Sequence, residues 1–494
     1  MKILLVYPKY PNTFWSFKHA LKFISKKATF PPLGLLTVAS MLPESWNKKL
    51  IDMNVEPLKD RDILRADYVF LSAMSIQNYS ALEVIKRCNQ LKVKVVAGGP
   101  LFTSSYDTIS GVDHFVLDEA EITLPMFLKD LRDGHPEKIY KAPVGKWADI
   151  TLTPLPDWRL AKLSKYSSMN IQYSRGCPFD CEFCDITVLF GRRPRTKTKE
   201  QIISELNNIL DAGWKGPVFF VDDNFIGNKQ KLKKEILPAI KSWMVEKAYP
   251  FWFNTEASIN LADDEELMEE MVNCGFESVF IGIESPLEES LSECNKFQNK
   301  NRDLIASIKK VQSRGMDVQG GFIVGFDSDP TSIFDQLTTF IQESGIITAM
   351  VGLLNAPKDT KLYKRLIKEG RLKNAFSGDN TDFSMNFIPK MNPEILIEGY
   401  RRILKTIYSP KHYYQRIFQF LKEYEPKRTR LSHLNFRNIQ ALGLSVVKLG
   451  MIGKERIYFW KLFFWTLIKK PKLFSLAMLF AIYGFHFRKI STES

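Results

Sequence analysis

Three cysteines fall within eight residues, in the stretch Tyr-Ser-Arg-Gly-Cys-Pro-Phe-Asp-Cys-Glu-Phe-Cys-Asp at 173–185. Cys177, Cys181 and Cys184 form a C-x3-C-x2-C array, and thiolates this close together suit a metal centre. A four-iron cubane held by three cysteines keeps one iron without a protein ligand. An open iron can bind a substrate, whereas a fully ligated cluster suits electron transfer alone. Two plainer explanations compete. A structural zinc site requires a fourth Cys or His from a second pair, and none follows. Isolated core cysteines are common, and Cys88, Cys274 and Cys294 each fit that description. Three in one loop, flanked by Gly176 and Pro178, do not.

The loop needs a scaffold. From 169 onward the pattern is strand then helix, with strands expected at 169–174, 218–222, 251–255, 278–283, 318–324 and 347–353. Thr198 with Gln201 reads as a capping box, and Asp263 with Glu266 as a second helix start. Such alternation predicts an α/β barrel, whose active residues sit at the strand C-termini. Ahead of it, short apolar runs at 2–7, 50–53, 68–73, 93–97 and 114–117 alternate with helical patterns at 33–42, 80–91 and 119–131. That predicts a doubly wound parallel sheet, which binds ligands beyond the carboxyl ends of its strands. Gly98-Gly99-Pro100 falls at one such end, where glycine allows close approach but where an ordinary turn also fits. The expected division is 1–135 for this domain, 136–164 for a linker, 165–375 for the barrel and 376–494 for a helical part.

The chain has 494 residues and a net charge of +14. Residues 390–494 carry 20 Lys and Arg against 6 Asp and Glu, so the whole excess lies there. A basic end suits nucleic acid, an anionic membrane or simple solubility. Two apolar, aromatic runs at 457–468 and 473–485 flank Lys469-Lys-Pro-Lys472. Each is shorter than the roughly 20 residues a bilayer crossing needs, so they predict either a helix in the membrane interface or a pair packed on the barrel. The cysteines show no disulfide-like spacing, which points to a reducing, cytoplasmic compartment, and an interface helix at the C-terminus, the alternative to a packed pair, would add peripheral contact at the inner membrane face.

Taken together, the cysteine array with Phe183 before its last member resembles the radical S-adenosylmethionine (SAM) superfamily. The preceding Rossmann-like domain resembles the cobalamin-binding branch, and the cysteine segment with the basic C-terminus resembles the group that includes the hopanoid C-2 methylase. The resemblance implies a (βα)6 partial barrel, a 4Fe-4S cluster on Cys177, Cys181 and Cys184, SAM and cobalamin. It implies that Glu284 meets the SAM ribose and that Gly321 to Gly325 lies near adenine. Ser72, Ser75, Gly98, Gly99, Glu119 and Glu121 would lie near the corrin or its tail. The G-G-E motif that commonly holds the methionine amine is absent, and Asp222-Asp-Asn-Phe225 stands in its place. At the strand-six turn Asp359 replaces the usual Gly. Asp133-Gly-His135 lacks the Gly of a cobalt-ligating D-x-H-x-x-G, so His135 is expected on a surface turn.

The implied reaction methylates an unactivated carbon, with hydrogen removal by a deoxyadenosyl radical and methyl supply from methylcobalamin. The cofactors carry this chemistry, and no general base is nominated. Expected partners are a small hydrophobic substrate and a low-potential flavodoxin- or ferredoxin-type donor, with nucleic acid not expected. The basic run at 192–199 suits positioning, electron delivery from an acidic donor, or a plain solvated loop. A cobalamin-dependent cyclase or oxidase, an RNA-modifying enzyme and a non-catalytic cobalamin sensor stay open.

Overall fold

The structure, a computed structural model, describes residues 1–373, 377–379, 382–426 and 436–493. The expected boundary at 375–376 lies outside the described residues.

Strands β1 (Lys2–Tyr7), β2 (Asn47–Asp52), β3 (Tyr68–Ser72), β4 (Lys94–Gly98), β5 (His114–Val116) and β6 (Ile139–Tyr140) form a parallel sheet in the order β2-β1-β3-β4-β5-β6. Leu4 and Val6 bury one face of β1, and Ile3 and Leu5 the other. Helices α1 (Leu33–Met41), α2 (Asn78–Gln90) and α3 (Ala120–Asp133) accompany the sheet. The strand order reverses between β1 and β3, the switch point at which such sheets take ligands. The expected linker begins inside this sheet, because Phe115–Val116 pairs with Ile139–Tyr140. A two-residue strand carries too little periodicity to be legible.

Strand β7 (Met169–Ile171) starts the second sheet and leads into a neck of two short antiparallel strands, β8 (Ser174–Arg175) and β9 (Arg195–Thr196). It continues through β10 (Gly216–Phe220), β11 (Phe251–Ala257), β12 (Phe276–Glu284), β13 (Asp317–Val324) and β14 (Ala349–Leu353). All are parallel, in sequence order, and among the described residues β7 and β14 are the edges of this sheet, so the barrel is open. Helices α4 (Lys199–Asp211), α5 (Leu237–Glu246), α6 (Glu265–Cys274), α7 (Leu304–Ser313), α8 (Ile333–Ser344) and α9 (Lys361–Lys368) make the outer shell. Thr198 and Gln201 close the capping box on α4. On α6 the cap is Asp264, which accepts from the Leu267 amide at 3.0 Å, and not Asp263.

The C-terminal part packs α10 (Pro393–Ile407), α11 (Pro410–Glu423), α12 (Phe436–Ser445), α13 (Arg456–Lys469) and α14 (Phe474–Glu493) onto the barrel core. A π-helical turn, Val446–Ile452, joins α12 to α13. The second apolar run is longer than the sequence pattern suggests. Pro471–Thr492 spans 22 residues and holds an 18-residue window of mean hydropathy 1.3, enough to cross a membrane by length and composition, yet 56% of that window is buried in the protein. Phe487 stacks on Phe14 at 4.2 Å, and Tyr413 donates to the Phe480 carbonyl at 2.8 Å. Gly484 has no Cβ because the Tyr413 ring occupies that space.

Candidate functional site

The cysteine loop leaves β8 and returns through β9. Gly176 sits at φ 89°, and a Cβ there would meet the Gly191, Phe190 and Arg193 carbonyls at 2.9–3.1 Å, so only glycine closes the neck. The carboxylate of Asp222 accepts from the Tyr173 amide at 3.0 Å, the Ser174 hydroxyl at 2.5 Å and the Ser174 amide. Asp223 accepts from the Gly176 amide at 3.2 Å. Asn224 places Nδ2 4.0 Å from Cys177 Sγ. Asp222 therefore anchors the cysteine loop, its oxygens serving three donors.

Burial pushes the thiols of Cys177, Cys181 and Cys184 up, and a bound cation is what would ionise them. Among the described residues no three His, Cys, Asp or Glu side chains converge on a single ion. A cubane spreads its corner irons and asks for a wider triangle of thiols than zinc does, which three cysteines on one loop can meet. Gln298 Nε2 lies 3.8 Å from Cys181 Sγ, and the Glu182 amide donates to the Cys294 carbonyl at 2.9 Å. Arg365 grips Glu182 with two bonds of 2.8 and 3.0 Å and so fixes the loop on α9. Phe183 packs with Phe326 at 6.3 Å over the small core around Leu362 and Leu366.

Facing the thiols is a residue the sequence did not reveal. Lys296 Nζ lies 2.8 Å from Glu284 Oε1, and its charge holds down all three thiol pKa values against the effect of burial. Burial works against the ammonium, but Glu284 and Cys181 outweigh it and raise the Lys296 pKa. Glu284 is buried at the end of β12 and takes φ 66°, which few residues other than glycine adopt. Asn299 supports that kink, donating to the Gly282 and Ile283 carbonyls at 3.1 and 2.9 Å. Gly282 leaves the space in which the Glu284–Lys296 pair lies.

A second acidic group stands at the carboxyl ends of β10 and β11. Burial and then the neighbouring acids push Glu256 up to about 8. Burial likewise pushes Asp222 up to about 7 and Asp223 up to about 6. Such a group is relieved by a cation placed among it. Gly321 makes room for the Phe280 ring, and Gly325 at φ 105° donates to Asp329 at 2.8 Å. Asp359 takes φ 68°, the conformation for which glycine is usual.

On the first sheet, a Cβ at Gly98 would strike the Val116 carbonyl at 2.6 Å, and one at Gly99, φ 90°, the Ser72 hydroxyl at 2.6 Å. Ser72 and Ser75 flank the switch point, and Gly378 closes over Ser75. Glu119 and Glu121 are held by arginines of the second domain. Arg175 pairs with them at 3.0 and 2.8 Å, and Arg195 with Glu119 at 2.8 Å. These carboxylates bind the barrel neck rather than standing free for a corrin. The same pairs use much of the basic run, since Lys197 is buried on Glu205 and Arg192 lies 3.3 Å from Asp180. Lys358, after β14, pairs with Asp107 of the first domain at 2.7 Å. His135 is exposed just past α3, as expected of a surface turn. Beside the cysteine loop opens a cavity of about 500 Å³, lined by Phe179, Arg193, Asn224 and Lys229.

Comparison with known proteins agrees with this geometry. Residues 171–341 match the radical SAM superfamily, 23–128 the B12 binding domain, and 360–494 a domain of unknown function, DUF4070. An uncharacterized methyltransferase of Synechocystis is 40% identical over 99% of this chain and 91% of its own. The hopanoid C-2 methylase of Rhodopseudomonas palustris is 32% identical over 93% of this chain and 88% of its own. In fold, the chain is similar to the cobalamin-dependent SAM radical enzyme OxsB, with a TM-score of 0.63 at 15% identity, covering 100% of this chain and 81% of that one. The chain belongs to the cobalamin-dependent radical SAM methyltransferase family.

Proposed function

We propose that the protein methylates an unactivated carbon of a hydrophobic substrate, a hopanoid or another lipid-like molecule. The barrel interior carries this proposal. On β11 the residues Phe251, Phe253, Thr255 and Ala257 are buried against the shell, and Trp252, Asn254 and Glu256 alternate with them toward the interior. By the same alternation Phe219, Phe280 and Met350 face inward. Trp15 meets Phe280 at 5.4 Å and Phe30 meets Phe219 at 5.1 Å. An aromatic lining of this kind suits an apolar ligand. The 32% identity to a hopanoid methylase points the same way.

Cys177, Cys181 and Cys184 would hold a 4Fe-4S cluster with one iron open. Bound cluster, SAM and cobalamin supply the radical and methyl-transfer chemistry. The protein's own residues position and exclude. Asp223 and Glu256 offer a cationic group, such as the SAM ammonium or sulfonium, a site that relieves their repulsion. Lys296 holds Glu284 for the ribose and leaves a positive charge beside the thiols. Gly98, Gly99, Ser72 and Ser75 give a tail-binding edge at the switch point. The electron comes from a low-potential donor of flavodoxin or ferredoxin type, and the basic-lined cavity beside Cys177 is where it docks. A lipid-like substrate also favours work at a membrane face.

The test is product analysis. The protein is reconstituted without oxygen with iron, sulfide and cobalamin, then given SAM, a low-potential reductant and a lipid extract. Formation of both 5′-deoxyadenosine and S-adenosylhomocysteine, the second dependent on cobalamin, is expected. Deoxyadenosine alone, with substrate present, would assign a cyclase or oxidase instead.

A further inference from the structure

Helix α13 is apolar on two opposite faces. Its inner stripe, Phe459, Leu462 and Thr466, is fully buried in the protein. Its outer stripe places Ile457, Phe464 and Ile468 at 74%, 53% and 71% exposure. The adjoining π-helical turn adds Met451 at 63% and Ile452 at 76%. A helix face turned to water is ordinarily polar, and a contiguous apolar patch marks an interaction surface.

Charge identifies the occupant. Residues 446–473 contain seven Lys and Arg and one acid, Glu455. That acid is buried and paired with Arg488 at 2.5 Å, so this stretch presents no exposed carboxylate. Lys461 stands within the outer stripe, and Lys454, Lys469 and Lys472 are exposed at its two ends. Trp460 and Trp465 are half-buried along its sides, where an indole suits a headgroup boundary. A second copy meeting this face would bring one lysine collar against another. Anionic headgroups would neutralise the collar, while the apolar stripe enters the acyl boundary.

We infer that α13 and the turn before it form a membrane-docking face for an anionic lipid bilayer. The helix lies flat, because its inner stripe is already committed to the core. It packs on α14, which stacks Phe487 on Phe14. Trp15, the next residue, meets Phe280 in the barrel. The docking helix is thus joined, from Tyr458 through Tyr414, Tyr413, Tyr408 and Phe487, by packed aromatic rings to the barrel interior. The inference deepens the lipid-methylase proposal and rests on it for its purpose, but not for its measurement.

The test is flotation of the full-length, cluster-loaded protein with vesicles, without SAM or turnover. Vesicles of phosphatidylcholine with about a quarter phosphatidylglycerol should bind it, and pure phosphatidylcholine should not. Replacing Ile457, Phe464 and Ile468 together by Glu should lower partition by at least about tenfold. Lys461→Gln, which keeps the stripe, should lower it by about fivefold and reduce its salt dependence. Circular dichroism and iron content of both variants check that the fold is kept. Wild-type protein that stays off anionic vesicles at low salt, or a triple variant that binds as well as wild type, overturns the proposal. A wild-type dimer that the triple variant turns into a monomer would also overturn it, assigning the face to a second copy. None of these results changes the product assay, so the two readings fail separately.

Discussion

Lys296 and Glu284 form a charge pair at 2.8 Å whose side chains are only 12% and 8% exposed. Removing one member of a buried pair leaves an uncompensated charge and typically costs about 3–5 kcal/mol. Lys296→Met should therefore destabilise by that amount in denaturant unfolding, and the double variant with Glu284→Gln should recover most of it. A double-variant loss equal to the sum of the two single-variant losses would show that the pair does not interact. Gly176 makes a second case. Gly176→Ala adds a methyl group where three carbonyls already stand, at a positive φ. The neck should open, and iron and sulfide per chain should fall severalfold while the barrel keeps its circular dichroism. The cysteine array was legible because three cysteines in so short a spacing are rare, whereas Glu284 was singled out only by the family resemblance. Lys296 was not legible, since one lysine among many carries no local signature and only the fold brings it to the thiols.

At the level of elements, the neck and α3 are tied by Arg175, Arg195, Glu119 and Glu121. Burial disfavours the Glu121 carboxylate, but Arg175 outweighs it and holds the group down to about 2 from 4.5. A depressed carboxylate stabilises the fold above its ordinary value and loses that contribution as pH falls toward the folded value. The tie should weaken between pH about 5 and 2, by an amount on the order of 3 kcal/mol. Glu121→Gln should be less stable than wild type at pH 7 and indistinguishable from it near pH 2. A constant difference across that range would reject the linkage. The cavity beside the cysteine loop yields a separate expectation. Arg193→Glu with Lys229→Glu should slow reduction by an acidic flavodoxin tenfold or more and leave reduction by dithionite unchanged. Slowing of both would mean damage to the cluster loop instead.

Over the whole molecule, the C-terminal helices are part of one core with the barrel rather than an appendage. Phe487 touches Phe14, Phe17, Tyr408 and Tyr483, so Phe487→Ala should cost about 3–5 kcal/mol. Removing 474–494 should yield insoluble protein, not a soluble barrel, as fractionation after expression would show. A soluble, cluster-binding truncation would make α14 dispensable to the fold.

The sequence by itself determined the cysteine array, the alternation of strands and helices in both sheets, and the basic, aromatic end. Each is local: residue type and spacing along a few turns or strands suffice. Tertiary structure decided the partners of the acids. Asp222, Glu119 and Glu121 look alike in sequence to free ligands, and only the approach of the cysteine neck makes them anchors. It also decided which face of each apolar helix is buried. For α13 and α14 hydrophobicity runs all round the helix, so periodicity is silent and packing alone chooses.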